Sequence, residues 1–225
     1  LGGNIGGSLL GSLDEIGPES WVVLELSSAQ LYWLSRGDGW SPALAGITNI
    51  TPNHLDWHQD ESQYRDCKMA IGQFQSAGDT LLHASDCPPL APNIMLRVLG
   101  EHNRANAAMA IALASTAAPV SPESLNSFTG LPHRLSAVGA HVPPRFIDDS
   151  KSTTPEATVL AVQSFDDVSR VHLIAGGYDK GISLDAIAML APQLGRLYTI
   201  GATGEHLAAS AGPNSTFCGT LEAAI

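Results

Sequence analysis

A carboxylate, two imidazoles and a lysine follow one another in the first third of the chain, in residue types that suit a metal or an anion. Glu25 sits in the run WVVLEL (residues 21–26), and residues 47–71, ITNITPNHLDWHQDESQYRDCKMAI, carry His54, Asp56, His58 and Lys68. A carboxylate among apolar neighbours is costly unless it is paired or bound to a metal. A surface position on an edge strand is the competing reading for Glu25. His54 and His58 have the spacing of two zinc ligands, yet Leu55 stands where H-E-x-x-H needs its general base. Two loop histidines satisfied by backbone explain that pair equally well. Lys68 alone reads as a helix lysine whose stem covers apolar surface.

A second group lies further along. Asn103 and Asn106 are three apart in the first turn of an alanine-rich helix, so they project in similar directions. His133 and Arg134 close a Gly-Leu-Pro stretch, and Asp148-Asp149-Ser150-Lys151 follows a short apolar run. Tandem acids and a cation at the end of a strand suit ribose hydroxyls and phosphate, or they simply cap a helix. Lys180 follows Gly176-Gly177 and reads as a phosphate or carboxylate contact or as a solvated turn residue. At the front, LGGNIGGSLLG (residues 1–11) lacks the Lys-Ser/Thr ending of a phosphate loop and does not match G-x-G-x-x-G. A loop where two stretches of backbone approach closely is the better reading, with Asn4 its one side chain of chemical use.

The elements that must hold these residues follow from periodicity. Residues 21–26 and 47–50 read as strands, the first of them buried, and residues 80–83 as a third. Residues 62–74 form an amphipathic helix with Tyr64, Cys67 (or Lys68) and Ile71 on one side, and residues 102–116 form the clearest helix of the chain. Residues 129–134 mark a domain boundary, a Gly and a Pro in an extended stretch after helical sequence. Beyond it, strands at 145–147, 171–175 and 197–200 alternate with helices, one starting at Pro155 and one after Gly201-Ala202-Thr203-Gly204. That alternation implies a parallel sheet. The expected organisation is α/β: a first domain over 1–130, then a Rossmann-like domain over 131–225 without the dinucleotide fingerprint.

Bulk properties narrow the function. The net charge of −11 argues against a general nucleic-acid surface, so an anionic ligand must be met by local cations. Of the 11 Lys and Arg residues, Lys68, Arg104, Arg134, Lys151 and Lys180 fall in the stretches above. The 3 cysteines, Cys67, Cys87 and Cys218, are widely spaced and fit a reducing compartment. No apolar stretch is long enough for a membrane span, and a cytoplasmic protein is expected.

Taken in order, GNIG (3–6), ELSSAQL (25–31), NITPNHLDWH (49–58), Tyr64-x-x-x-Lys68, EHNRANAA (101–108), LPHR (131–134), DDSKST (148–153) and GGYDKG (176–181) resemble the Mur ligase family. ELSS-x-QL and DSK-x-T are the specific pieces, and they resemble the D-glutamate-adding branch. Branches that add diaminopimelate, lysine or the first alanine carry a D-Y-A-H-x-P-type sequence where DDSKST stands. The resemblance implies ATP-dependent joining of D-glutamate to UDP-N-acetylmuramoyl-L-alanine through an acyl phosphate, in peptidoglycan precursor synthesis and hence in cell shape and division. It implies a partial P-loop-type central ATPase domain over residues 1–130, and Mg²⁺ held by Glu25, His54 and Lys68, with Lys68 converted by CO₂ to a carbamate. Lys68, His54 and Arg134 are the expected catalytic residues. Asn103, Asn106, His133, Arg134, Asp149 and Lys151 are expected at ATP. Asn4, Ser27 and Gln30 are expected at the muramoyl-alanine substrate, and Thr153 and Lys180 at D-glutamate. A monomer is expected, with neither nucleic acid nor membrane as partner.

Departures from the family pattern shape one further expectation. The phosphate loop and the N-terminal uridine-nucleotide domain are missing ahead of Gly3, and the chain stops before the family's last strands. The chain is therefore expected to be an internal piece, inactive alone. Ala29, Asn53 and Thr154 replace residues more usual in the family. A degenerate, non-catalytic binding module and another Mur or folylpolyglutamate-type ligase are the alternatives.

Overall fold

Backbone pairing in this computed structural model, which describes residues 1–51, 57–139 and 144–225, is mostly parallel. Cα proximity divides the chain into residues 1–88 with 108–120, and residues 89–107 with 121–225. Residues 121–130, expected with the first domain, thus group with the second.

In the first unit, β1 (Gly2–Gly3) pairs with β2 (Leu24–Glu25), and β3 (Leu44–Ile47) pairs with β4 (Thr80–His83). The glycine loop is the close approach that its composition suggested. Gly3 has φ 102° and a Cβ there would stand 2.3 Å from the Glu25 carbonyl oxygen, so only glycine fits. The strand expected at 21–26 is cut to two residues and is not buried: Trp21 is 70% exposed and Val23 60%. Its partner in β1 is two glycines, which bring no side chains to cover it. The strand expected at 47–50 lies earlier, over Leu44–Ile47, because Gly46 gives its backbone room against Leu113 and Met109; a Cβ would meet Leu113 at 2.6 Å. Alternating burial along this strand puts Ala45 and Ile47 inside. Between the pairs runs α1 (Ser28–Leu34), and α2 (Glu61–Met69) lies between β3 and β4. Asp60 caps α2 by accepting from the Gln63 N–H at 2.8 Å, and a 3-10 turn, Ala70–Gly72, ends it short of the expected 74. Tyr64 and Cys67 face inward, as their spacing required.

The helix α3 (Glu101–Ala117) contributes its first turns to the second unit and its remainder to the first. In the second unit, β5 (Ser136–Val138) and β6 (Phe146–Asp148) form an antiparallel pair. This corrects the all-parallel expectation: the link between them is too short for a parallel crossover, which takes a dozen residues or more. After α4 (Pro155–Val162), the strands β7 (His172–Gly176), β8 (Arg196–Ile200) and β9 (Ser215–Gly219) form the parallel sheet in that order, with α5 (Asp185–Leu190) and α6 (Gly204–Ala211) as crossovers. The short α7 (Leu221–Ala224) follows β9. Val162, Ile187, Leu190, Leu197 and Leu207 make the core. The central strand β8 carries Leu197 and Thr199 on one face at 0% exposure, alternating with half-buried Arg196, Tyr198 and Ile200 on the other. Thr154 caps α4 by accepting from the Ala157 N–H, and Pro155 takes the first helical position, which explains why threonine is tolerated there.

Candidate functional site

In the first unit the candidate residues gather where β2 runs into α1. Ser27 and Gln30 form a capping box: the Ser27 hydroxyl accepts from the Gln30 N–H at 3.2 Å, and the Gln30 side-chain oxygen accepts from the Ser27 N–H at 2.8 Å. Two residues expected at substrate therefore hold each other first, in a geometry fixed before any ligand arrives. Gln30 also lines an open cleft of about 500 Å³, with Gly3, Leu24, Leu26, Leu34 and Trp40. The Asn4 N–H donates to the Glu25 carbonyl at 2.8 Å, which places the glycine loop directly on the strand that carries the carboxylate.

Glu25 is half-buried, and its Oε2 is enclosed without a hydrogen-bond partner among the described residues. An enclosed, unpartnered carboxylate oxygen has lost its water without replacement, the condition in which a cation is the favourable partner. Lys68, in the last turn of α2, feels both sides of this arrangement. Burial pushes its amine below the ordinary lysine range, and the Glu25 charge pulls part of the way back. Among the described residues the two make no ion pair. The Lys68 Nζ instead lies 5.9 Å from the centre of the Tyr64 ring. A desolvated amine beside a carboxylate with an empty valence suits a cation bound between oxygen ligands, provided the amine becomes one. His54, the third expected metal ligand, lies outside the described residues, as does Asp56. Among the described residues no cluster of three His, Cys, Asp or Glu side chains forms a metal cage.

His58 takes the plain alternative to zinc. Its ring is 2% exposed, shares a 2.9 Å hydrogen bond from Nε2 with the Ser28 hydroxyl, and packs edge-on to Trp57 and Tyr64.

In the second unit the residues expected at ATP are fastened together by hydrogen bonds. His133 Nδ1 meets Asp148 Oδ2 at 2.6 Å, an ion pair when the imidazole is protonated. The His133 carbonyl accepts from the Lys151 N–H at 3.1 Å, and Asp149 Oδ1 accepts from the Leu135 N–H at 3.0 Å. The tandem acids thus clamp the 131–135 loop; the helix cap belongs to Thr154 instead. His133 and Leu135 stand at φ 64° and 46°, a left-handed conformation uncommon outside glycine and concentrated at functional sites. Asp148 is pulled down to about 2, first by the Ser150 N–H and then by His133. Arg134 and Lys151 are exposed and free to meet an anion. Sequence reasoning gave Asp148 no role of its own, since nothing local marks a histidine and an aspartate 15 residues apart as partners.

Three other residues stand apart from this network. The Asn103 amide donates to the Leu99 carbonyl at 2.7 Å. The Arg104 guanidinium is spent on the carbonyls of Leu90, Ala91 and Ile94. Lys180 is exposed in a turn where Asp179 accepts from the Gly181 N–H at 2.7 Å. Asn106 and Thr153 are exposed. The Gly176-Gly177 end of β7 is tied to Thr203, whose hydroxyl accepts from the Gly177 N–H at 3.2 Å.

With this geometry in hand, comparison with known proteins is specific. Residues 12–92 match the Mur ligase middle domain. The whole chain aligns at 34% identity with 56% of the UDP-N-acetylmuramoylalanine–D-glutamate ligase of Zymomonas mobilis. It aligns equally fully, at 31% identity, with 56% of the UDP-N-acetylmuramoyl-L-alanine–L-glutamate ligase of Xylella fastidiosa. Among solved structures, UDP-N-acetylmuramate-alanine ligase MurC of Thermotoga maritima superposes with a TM-score of 0.67 over 89% of this chain and 55% of its own, at 20% identity, a likeness of fold. The chain spans about half the length of these relatives.

Proposed function

For a chain that belongs to the Mur ligase family, we propose that the reaction it takes part in is ATP-dependent ligation of D-glutamate to UDP-N-acetylmuramoyl-L-alanine, in peptidoglycan precursor synthesis. The observation that carries this reading is the pairing of a desolvated Lys68 amine with an enclosed, unpartnered oxygen on Glu25. Only a neutral amine attacks CO₂, and burial raises the neutral fraction at a given pH. The new N–C bond forms as a proton leaves, and an ammonium that repels cations becomes an oxygen donor. Glu25 and carbamylated Lys68 would then offer Mg²⁺ oxygen ligands of the type it prefers, with His54 as the third residue of the centre. Bound there, Mg²⁺ supplies charge neutralisation for phosphoryl transfer.

The remaining assignments follow from side-chain chemistry. The alanyl carboxylate attacks the γ-phosphorus of ATP and ADP leaves. The amine of glutamate then attacks the acyl phosphate, loses a proton and expels phosphate. Arg134 and Lys151 offer exposed cations to the phosphates, with His133 oriented beside them by Asp148. Asp149 keeps its second oxygen for a ribose hydroxyl, and Asn103 and Asn106 complete the nucleotide contacts. Thr153 and Lys180 hold the incoming amino acid, Lys180 by charge-assisted bonds to a carboxylate. Asn4, Ser27 and Gln30 hold the muramoyl end. We keep a functional division between residues 1–130 and 131–225, placed by the Gly-Leu-Pro stretch. A monomer in a reducing cytoplasm accommodates the free Cys67, Cys87 and Cys218, and no described helix is long and apolar enough to cross a membrane.

The name of the Xylella relative gives one specific reason for a second reading, with L-glutamate as acceptor. Phosphate release by the full-length protein that contains these residues, measured with ATP, the muramoyl nucleotide and either enantiomer, separates them. D-glutamate alone should support turnover; preference for L-glutamate overturns the stereochemical assignment, and turnover with neither overturns the ligase reading.

A further inference from the structure

Ser28 is the first residue of α1, and the Ser27–Gln30 capping box begins one residue earlier. Its hydroxyl is buried at 4% exposure and shares its 2.9 Å hydrogen bond with His58, 30 positions away on the segment that leads into α2. His58 is itself held by rings, Trp57 at 4.5 Å and Tyr64 at 5.2 Å between centroids, both edge-on. Tyr64 in turn presents its ring to Lys68 on the same helix. One continuous column therefore runs from the N-terminus of α1 through His58 and Tyr64 to Lys68.

We propose that His58 is a positioning residue that fixes the first turn of α1, and with it the Ser27 and Gln30 side chains, against α2. The physical basis is the stiffness of the column. A single hydrogen bond to a mobile partner constrains little, but an imidazole packed between two rings cannot swing, so it transmits position rather than only adding stability. The oxygen it holds belongs to a helix terminus, where one misplaced residue re-aims the whole turn. What that turn binds, the muramoyl-alanine end of the nucleotide, rests on the ligase reading above; the mechanical link does not.

The test compares the intact protein with Ser28→Ala, His58→Ala, His58→Gln and the Ser28→Ala/His58→Ala pair. A lost net hydrogen bond of about 0.5–1.5 kcal/mol corresponds to roughly a two- to tenfold effect. KM for the muramoyl nucleotide should rise by about that factor in both alanine variants, with KM for ATP and kcat changed far less. The double variant should be no worse than the worse single one. His58→Gln, whose amide can reach Ser28, should recover most of the loss. Uniform loss in kcat and both KM values, or no recovery with glutamine, overturns positioning in favour of a plain core histidine. Amide hydrogen exchange of residues 27–31 is read in parallel and should quicken in Ser28→Ala and His58→Ala. Unchanged exchange overturns the link whatever the kinetics. Faster exchange in a protein that turns over no muramoyl nucleotide sinks the ligase reading and leaves the link standing.

Discussion

The two units treat their charged residues in opposite ways. Around Glu25 and Lys68 the polar groups are few, half-buried and left without the ion pair that proximity invites. Around His133 and Asp148 they range from half-buried to exposed and are bound to one another and to backbone N–H groups at 2.6–3.1 Å. A desolvated charge without a partner stores unfavourable energy that a ligand can release; a networked one has its geometry set and gives up little on binding. The first arrangement suits a group that must change its chemistry, the second a platform that must hold still. The hydrophobic packing differs in parallel: β8 lies at the centre of a covered sheet, whereas residues 21–24 present apolar side chains to solvent.

The largest effect expected from breaking this contrast is at Lys68. Lys68→Ala should lower turnover by at least about a hundredfold, the scale of a lost electrostatic stabiliser, and added short-chain carboxylates should return part of it. Lys68→Arg should stay inactive, since a guanidinium does not become neutral. Because burial lowers the Lys68 pKa, ¹³C-carbonate labelling at limiting CO₂ should show the carbamate growing in as pH rises through that lowered value. No carbamate signal, or full rescue by arginine, removes the proposed role.

Packing comes next. Leu197→Ala in β8 should cost about 2–5 kcal/mol in urea unfolding, while Trp21→Ala should stay within about 0.5 kcal/mol. Equal losses would mean that residues 21–24 are not the exposed face the structure gives. Gly176→Ala should cost roughly 1–3 kcal/mol, because its φ is 123° and a Cβ would stand 2.2 Å from the Ile200 carbonyl oxygen.

The smallest effect is the most local. Asp148 should titrate at about 2 by carboxyl NMR, against an ordinary 3.8. A depressed carboxylate contributes stability that is present above its unfolded value and lost as pH falls through the folded one. The 131–135 clamp should therefore loosen between about pH 4 and pH 2. His133→Ala should raise that pKa only part of the way, since the Ser150 N–H is the larger cause. A full return to 3.8 would show that the imidazole, not the backbone, sets the clamp.

Several elements were legible because their signals are local. In the first unit Thr80–His83 was placed to the residue, and the helix expected at 102–116 gained one residue at each end. In the second unit Pro155 marked the start of α4, the strand expected at 171–175 shifted by one, and that expected at 197–200 gained one residue at its start. The strand β9 and the helix α5 went unmarked, as short elements in alanine- and serine-rich sequence with weak periodicity. In the candidate site, Glu25 stood out by its apolar neighbours and Lys68 only through the family resemblance, whereas Asp148, Ser28 and Thr203 did not. Each of those three acts through a partner that sequence distance hides.

Residue chemistry and short-range spacing, set by the chain itself, determined that this protein carries a carboxylate on a strand end, an amine on a later helix and tandem acids at the end of a strand further on. They also determined the α/β alternation, because helix and strand periods are read over a few residues. Only the tertiary structure decided that Glu25 keeps an unpartnered oxygen, that Asp148 rather than Asp149 takes His133, and that residues 21–24 stay uncovered. Solvent access and ion pairing are sums over neighbours from distant parts of the chain, and no local pattern contains them.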